Sequence, residues 1–136
     1  MAALSSYFAN KIIDHMLRNQ AFTPPTAVYV ALFTSSTGLS TNNPTGEVSG
    51  NGYARRQIIL DAASSGASQN NADITFPEAT GSWGTITHVA IVDHPSNTTW
   101  GTNVNVLAYA AVSPNQAIAS GNIFMLPAGN VDLSFE

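Results

Sequence analysis

The hydrophobic period of the chain changes once, just past residue 19. Before that point Leu4, Phe8, Ile12 and His15 or Met16 recur at helical spacing, with Tyr7 beside them. The pattern predicts one helix over about residues 5–19. Ser5 or Ser6 can cap its first free amides, and Asn19 can end it. Asp14 and Arg18 stand at i,i+4, a pair worth a few tenths of a kcal/mol. Pro24 and Pro25 keep the following chain extended. The apolar stripe is wide for so short a helix, so it should lie against something: its own sheet, with Phe8 and Ile12 in the core, or otherwise a partner subunit.

After the helix the period becomes two. AVYVALFT (27–34) is apolar on both faces, as expected of a strand covered on two sides. YARRQIILD (53–61) follows, with Arg55 and Arg56 on opposite faces, which argues against a paired-arginine anion clamp. DITFP, VNVLAYAAV (104–112), a stretch around Ile123 to Leu126 and NVDLSFE (130–136) complete the extended segments. In the last of these Val131, Leu133 and Phe135 alternate inward. ASSGASQNNA and the long polar segment 35–52 predict loops; a loop of the latter length is often functional or mobile. The expected fold is mainly β: an antiparallel β-sandwich over about 27–136 with the N-terminal α-helix packed on it, one domain across 1–136.

SWGTITHVAIVDH (82–94) holds a tryptophan, two histidines and an acid, so it is tested as a reactive site. As a strand it would hold His88 and His94 about 20 Å apart, far beyond what shared zinc ligation allows. His15 lies elsewhere, in the helix. No strand–GxSxG–helix elbow, HExxH, P-loop or GxGxxG occurs. Asp73 and Glu78 give no sign of a convergent carboxylate pair. The structural alternative explains more. Ile86, His88, Ala90 and Val92 would share one strand face, and Thr87, Val89 and Ile91 the other. His88 then becomes a partly buried hydrogen-bonding residue of the core, whose loss would cost about 1–3 kcal/mol. Trp83, beside Gly84, becomes a core plug whose indole N–H needs a carbonyl partner. Catalytic, cofactor and metal sites are therefore expected to be absent.

Composition narrows the partners. Only 9% of residues are charged, with four basic and eight acidic side chains and a net charge of −4. Four basic groups make no phosphate-binding stripe, so nucleic acid is not expected. No run of about 18 apolar residues occurs, so no membrane partner is expected. Zero cysteines rule out disulfides and thiolate metal sites. A weakly charged surface rich in Asn, Ser and Thr buries little unpaired charge when it meets another chain. Candidate contact residues are Trp100, in the polar run 93–105, and Leu39 and Val48, in the loop 35–52. Deleting 38–50 should then weaken assembly and leave the fold intact.

Four segments carry a family resemblance: ALSSYFANKIIDHMLRNQAFTPPTAVYVALFT, GYARRQI, ITFPEATGSWGTITHVAIVD and LPAGNVDLSF. Together they resemble small tailed-bacteriophage virion proteins of the tail-fibre-like or minor structural kind. The resemblance implies a non-enzymatic virion component, assembled in the cytoplasm of a bacterial host. The sequence has no heptad, β-helix or collagen-like period of a fibre shaft. The expectation is therefore a capsid decoration or cement protein, a trimer or other symmetric oligomer contacting copies of itself and the major capsid protein. The alternatives are a tail-fibre or tail-tip adhesin module contacting tail proteins and, from another class, a carbohydrate-binding module or small hydrolase.

Overall fold

The computed structural model describes residues 2–135. They form nine strands and one helix: β1 (Ala3–Leu4), α1 (Ser6–Leu17), β2 (Val28–Phe33), β3 (Arg56–Ile58), β4 (Ala67–Gln69), β5 (Ile74–Thr75), β6 (Gly84–Val92), β7 (Val106–Ile118), β8 (Met125–Leu126) and β9 (Asp132–Ser134). The main sheet has five strands in the order β1-β7-β6-β2-β3, and each pairing in it is antiparallel. Two antiparallel ribbons, β4-β9 and β5-β8, complete a mainly β architecture with sandwich-like layering.

The helix begins where its capping residue finds two tasks. Ser5 accepts a hydrogen bond from the Phe8 amide (3.1 Å), and its hydroxyl also donates to the Val106 carbonyl. Its own amide donates to the Leu107 carbonyl (2.9 Å). The cap thus pins the start of α1 to the rim of β7. Arg18 closes the helix, and Asn19 follows with φ 56°, the left-handed conformation that asparagine tolerates at a helix end. The Arg18–Asp14 ion pair forms at 2.7 Å. Burial of the helix is shallower than its stripe predicts. Tyr7 and Phe8 pack against the core, Ile12 is half-buried, and Ile13, Met16 and Leu17 are exposed.

Both faces of the main sheet are covered, as the two apolar faces of β2 require. Val30 and Leu32 point to one cluster with Ile58, Ile74, Phe76, Trp83 and Phe124. Ala31 and Phe33 point to the other, with Leu39, Ala90, Val92, Val104 and Val106. The first face is closed by the ribbons and turns, the second by the loops that flank Leu39 and Val104.

Strict alternation fails in β6. Ile86 lies in the same cluster as Ile91 and Val89, not with Ala90 and Val92. The register explains this: Ile86 pairs Gln116, whereas His88 pairs Ala111. Thr87 therefore lies opposite the whole stretch 112–115 of β7, a large bulge that changes the phase of the pleat. A second slip, between Ile91 and Val92, turns Leu107 to the first cluster while Val106 serves the second.

Three other expectations change. The segment expected as the loop ASSGASQNNA contains β4, paired with the terminal strand β9. β7 runs past residue 112 to Ile118, pairing through the bulge. Phe135 is exposed, so the inward alternation of the last strand stops at Leu133. β9 ends at Ser134; the Phe135 amide still donates to the Gly66 carbonyl (2.7 Å), but its side chain stays exposed.

Candidate functional site

The loops that follow β2 and β6 meet over the second face of the sheet, and amide side chains stitch them together. Asn42, buried, accepts from the Val106 amide (2.7 Å) and donates to Asn105 Oδ1 (2.8 Å). Asn105 donates its backbone amide and its Nδ2 to the two oxygens of Asp93 (2.6 and 2.9 Å). The Ser6 amide donates to the Ser40 carbonyl (2.8 Å), which joins α1 to the same platform. Loop 35–52 is therefore a tied part of the body.

Beside this platform a salt bridge is buried. Arg55 Nε donates to Glu47 Oε1 (2.7 Å) and Nη2 to Oε2 (2.6 Å), a bidentate pair, while Nη1 donates to the His94 carbonyl (2.8 Å). The Tyr53 hydroxyl donates to Glu47 Oε1 (3.0 Å) and accepts from the Leu32 amide (3.0 Å). Side-chain exposure is 2% for Arg55 and 12% for Glu47. Burial, and then the negative charge of Glu47, push the Tyr53 phenol well above its ordinary range. The guanidinium carbon of Arg55 lies 5.1 Å from the centre of the Trp100 ring, a cation–π contact, and Trp100 also meets Phe33 at 6.2 Å. A cavity of about 370 Å³ opens here, lined by Glu47, Tyr53, Arg55, Trp100 and the hydroxyl residues Thr45, Ser49, Ser96 and Thr98. Its lining combines polar side chains with an aromatic wall. The rings of the three histidines have other partners. His15 Nδ1 lies 3.2 Å from the Gln20 carbonyl, His88 Nδ1 lies 2.9 Å from the Thr87 hydroxyl, and His94 Nδ1 accepts the Ser96 and Asn97 amides (3.1 and 2.9 Å). Among the described residues no three His, Asp or Glu side chains converge as a metal site.

A family model described as podophage GP4 fiber I protein gp80 matches residues 3–134. The chain belongs to this family. It is a phage virion structural family of the tail-fibre-like kind, so the chain is a phage structural protein. Curated proteins give no match. No helix among the described residues is long and apolar enough to cross a membrane.

In this fibre-family chain the residues singled out by sequence are dispersed. Trp83 is buried at the entrance to β6, and its indole N–H donates to the Asn51 carbonyl (2.9 Å). His88 is half-buried, and its ring nitrogen meets the hydroxyl of its own neighbour Thr87. Phe8 and Ile12 are half-buried on α1. Trp100 is half-buried and lines the cavity.

Leu39 and Val48 require a correction. Leu39 is 0% exposed and Val48 6%, each packed in a core cluster, so neither side chain can meet a neighbour. The physical reason is that Leu39 and Val48 are large apolar residues in a polar segment that lies across the sheet, and burying them holds the segment down. Deleting 38–50 would remove Leu39, Asn42 and Glu47 together, so the deletion is expected to disturb the fold as well as any contact.

Sequence reading missed Glu47, Arg55 and Asn42 as a constellation. The signal available was the strand spacing that separates Arg55 from Arg56: one of two adjacent arginines had to face inward, and a buried arginine needs a carboxylate.

Proposed function

We propose that the chain is a non-enzymatic structural module of a phage fibre or tail tip, held among copies of itself and neighbouring tail proteins. The match of residues 3–134 to a fibre-protein family carries this reading. The surface supports it: four basic and eight acidic side chains leave little charge to desolvate when chains meet. The exposed apolar residues Ile13, Met16 and Leu17 on α1 and Ile123, Met125 and Phe135 toward the C-terminus supply contact area. The module is a rigid body whose individually weak contacts gain strength by repetition in the particle.

A second reading is head decoration, in which the partners are the major capsid protein and copies of the chain in a trimer or other symmetric oligomer. It is favoured by the missing shaft period in the sequence. Copy number and position separate the two. Quantitative mass spectrometry of purified particles, with immunogold labelling, should give a few to dozens of copies at the tail. Hundreds of copies over the head would replace the fibre reading with decoration.

A further inference from the structure

We propose that Asn51 is a self-modification site, converted to aspartate and isoaspartate by attack of the Gly52 amide nitrogen on its side-chain carbonyl carbon. The chemistry needs only the chain and one water. A bond forms between Gly52 N and Asn51 Cγ, and the Cγ–Nδ2 bond breaks. The nitrogen leaves as ammonia, taking the proton that the Gly52 amide gives up. Water then opens the cyclic imide: at the side-chain carbonyl to give aspartate, at the main-chain carbonyl to give isoaspartate.

Three observations select this residue. Asn51 is followed by glycine, whereas each other asparagine is followed by a residue whose Cβ crowds the attacking nitrogen. Both Asn51 and Gly52 are exposed, so water reaches the ring. Gly52 lies in a turn outside the strands, and its amide donates no hydrogen bond among those described.

The fold sets the rate. Asn51 and Gly52 stand in the left-handed conformation, at φ 52° and 81°. The Asn51 carboxamide donates from Nδ2 to the Ser82 carbonyl (2.9 Å) and lies against Gly81, where an added Cβ would fall 2.7 Å from Asn51 Cγ. Ring closure turns this carboxamide toward Gly52, so its bond to Ser82 acts as a brake.

The consequence falls on the core. The Asn51 carbonyl accepts the Trp83 indole N–H (2.9 Å) and the Thr80 amide (3.0 Å). Isoaspartate carries the main chain through the side-chain carbon, lengthens it by one atom at this carbonyl and displaces both acceptor bonds. Either product also moves the net charge from −4 to −5 (−4 − 1). The seat of Trp83 at the entrance to β6 therefore loosens as the protein ages.

The site is independent of whether the chain serves a fibre or a head, so its failure would leave the virion reading standing. The test incubates the full chain at mildly alkaline pH over several weeks and maps its peptides by mass spectrometry, with electron-transfer fragmentation to separate isoaspartate from aspartate. Position 51 should convert before any other asparagine, and faster in urea-unfolded chain than in folded chain. Gly81→Ala pushes the carboxamide off Ser82 and should speed the reaction about three- to tenfold, as expected for loss of one hydrogen bond of ordinary net strength. Asn51→Gly keeps the main-chain carbonyl and removes Cγ; its unfolding midpoint should stay constant while that of the unsubstituted protein drifts down. The proposal is overturned if another asparagine converts first, if unfolding brings no acceleration, if folded Gly81→Ala reacts no faster, or if Asn51→Gly drifts equally.

Discussion

Arg55 and Glu47 face each other as a bidentate ion pair, with Nε–Oε1 at 2.7 Å and Nη2–Oε2 at 2.6 Å, inside a chain that has only four basic residues. Removing one partner leaves a buried charge with no counter-ion. Glu47→Ala should therefore destabilise the fold by about 3–5 kcal/mol, whereas Glu47→Leu with Arg55→Met should cost much less. Urea unfolding of the two variants checks this. Equal losses in both would mean that the pair contributes more than charge compensation.

Tyr53 gives the protein a pH dependence of known sign. Its phenol is raised by burial, and then by Glu47, above the value of 10.0 it has when unfolded. The unfolded chain thus releases this proton first. Stability from Tyr53 is fully present below pH 10.0 and is lost as pH rises above it. The slope is about 1.4 kcal/mol per pH unit for one proton. Tyr7 is raised as well, by burial and then by Asp93, and acts in the same direction. Tyr53→Phe should flatten the alkaline decline, and thermal melts from pH 8 to 12 would show it. A slope unchanged by Tyr53→Phe would contradict the burial of this phenol.

Asn70 holds the last part of the chain. It is 1% exposed, donates from Nδ2 to the Ala72 and Pro127 carbonyls (2.8 and 3.0 Å), and accepts the Val131 amide (2.9 Å). Asn70→Ala leaves these groups unpaired and should cost about 1–3 kcal/mol. Hydrogen exchange should quicken first at Val131 and along β9, and uniform quickening across β2 and β6 would speak against a local anchor.

Ser5 couples the helix to the sheet. Ser5→Ala removes both the N-cap and the bond to the Val106 carbonyl, and should cost about 1–3 kcal/mol. The α1 amides should lose protection more than those of β6. Preserved protection in α1 would show that the cap is dispensable.

The outer face of α1 makes the opposite prediction. Met16 and Leu17 are 69% and 80% exposed, so Met16→Gln with Leu17→Gln should shift stability by no more than about 0.5 kcal/mol each. If this face meets a neighbouring virion chain, incorporation into particles should fall while the purified protein still folds. Normal incorporation would move the contact elsewhere.

Local pattern was sufficient for some of this protein. The helix, a serine cap at Ser5 or Ser6 and the Asn19 end follow from spacing and capping chemistry within one stretch of chain, and so does the two-sided apolar pattern of β2; the structure chose Ser5. The opposite facing of Arg55 and Arg56 also follows, because adjacent residues of extended chain point apart whatever surrounds them. Pairing decided the rest. The phase of β6 depends on a bulge in β7, the strand at Ala67 on β9 more than sixty residues away, and the burial of Leu39 and Val48 on the sheet beneath them. The cavity depends on residues near positions 47, 55 and 100 arriving together. Periodicity reports which way a side chain points within its own segment. What that side chain meets is fixed only when distant segments pack, because the free energy of burial and of ion pairing belongs to both partners and is encoded in neither stretch alone.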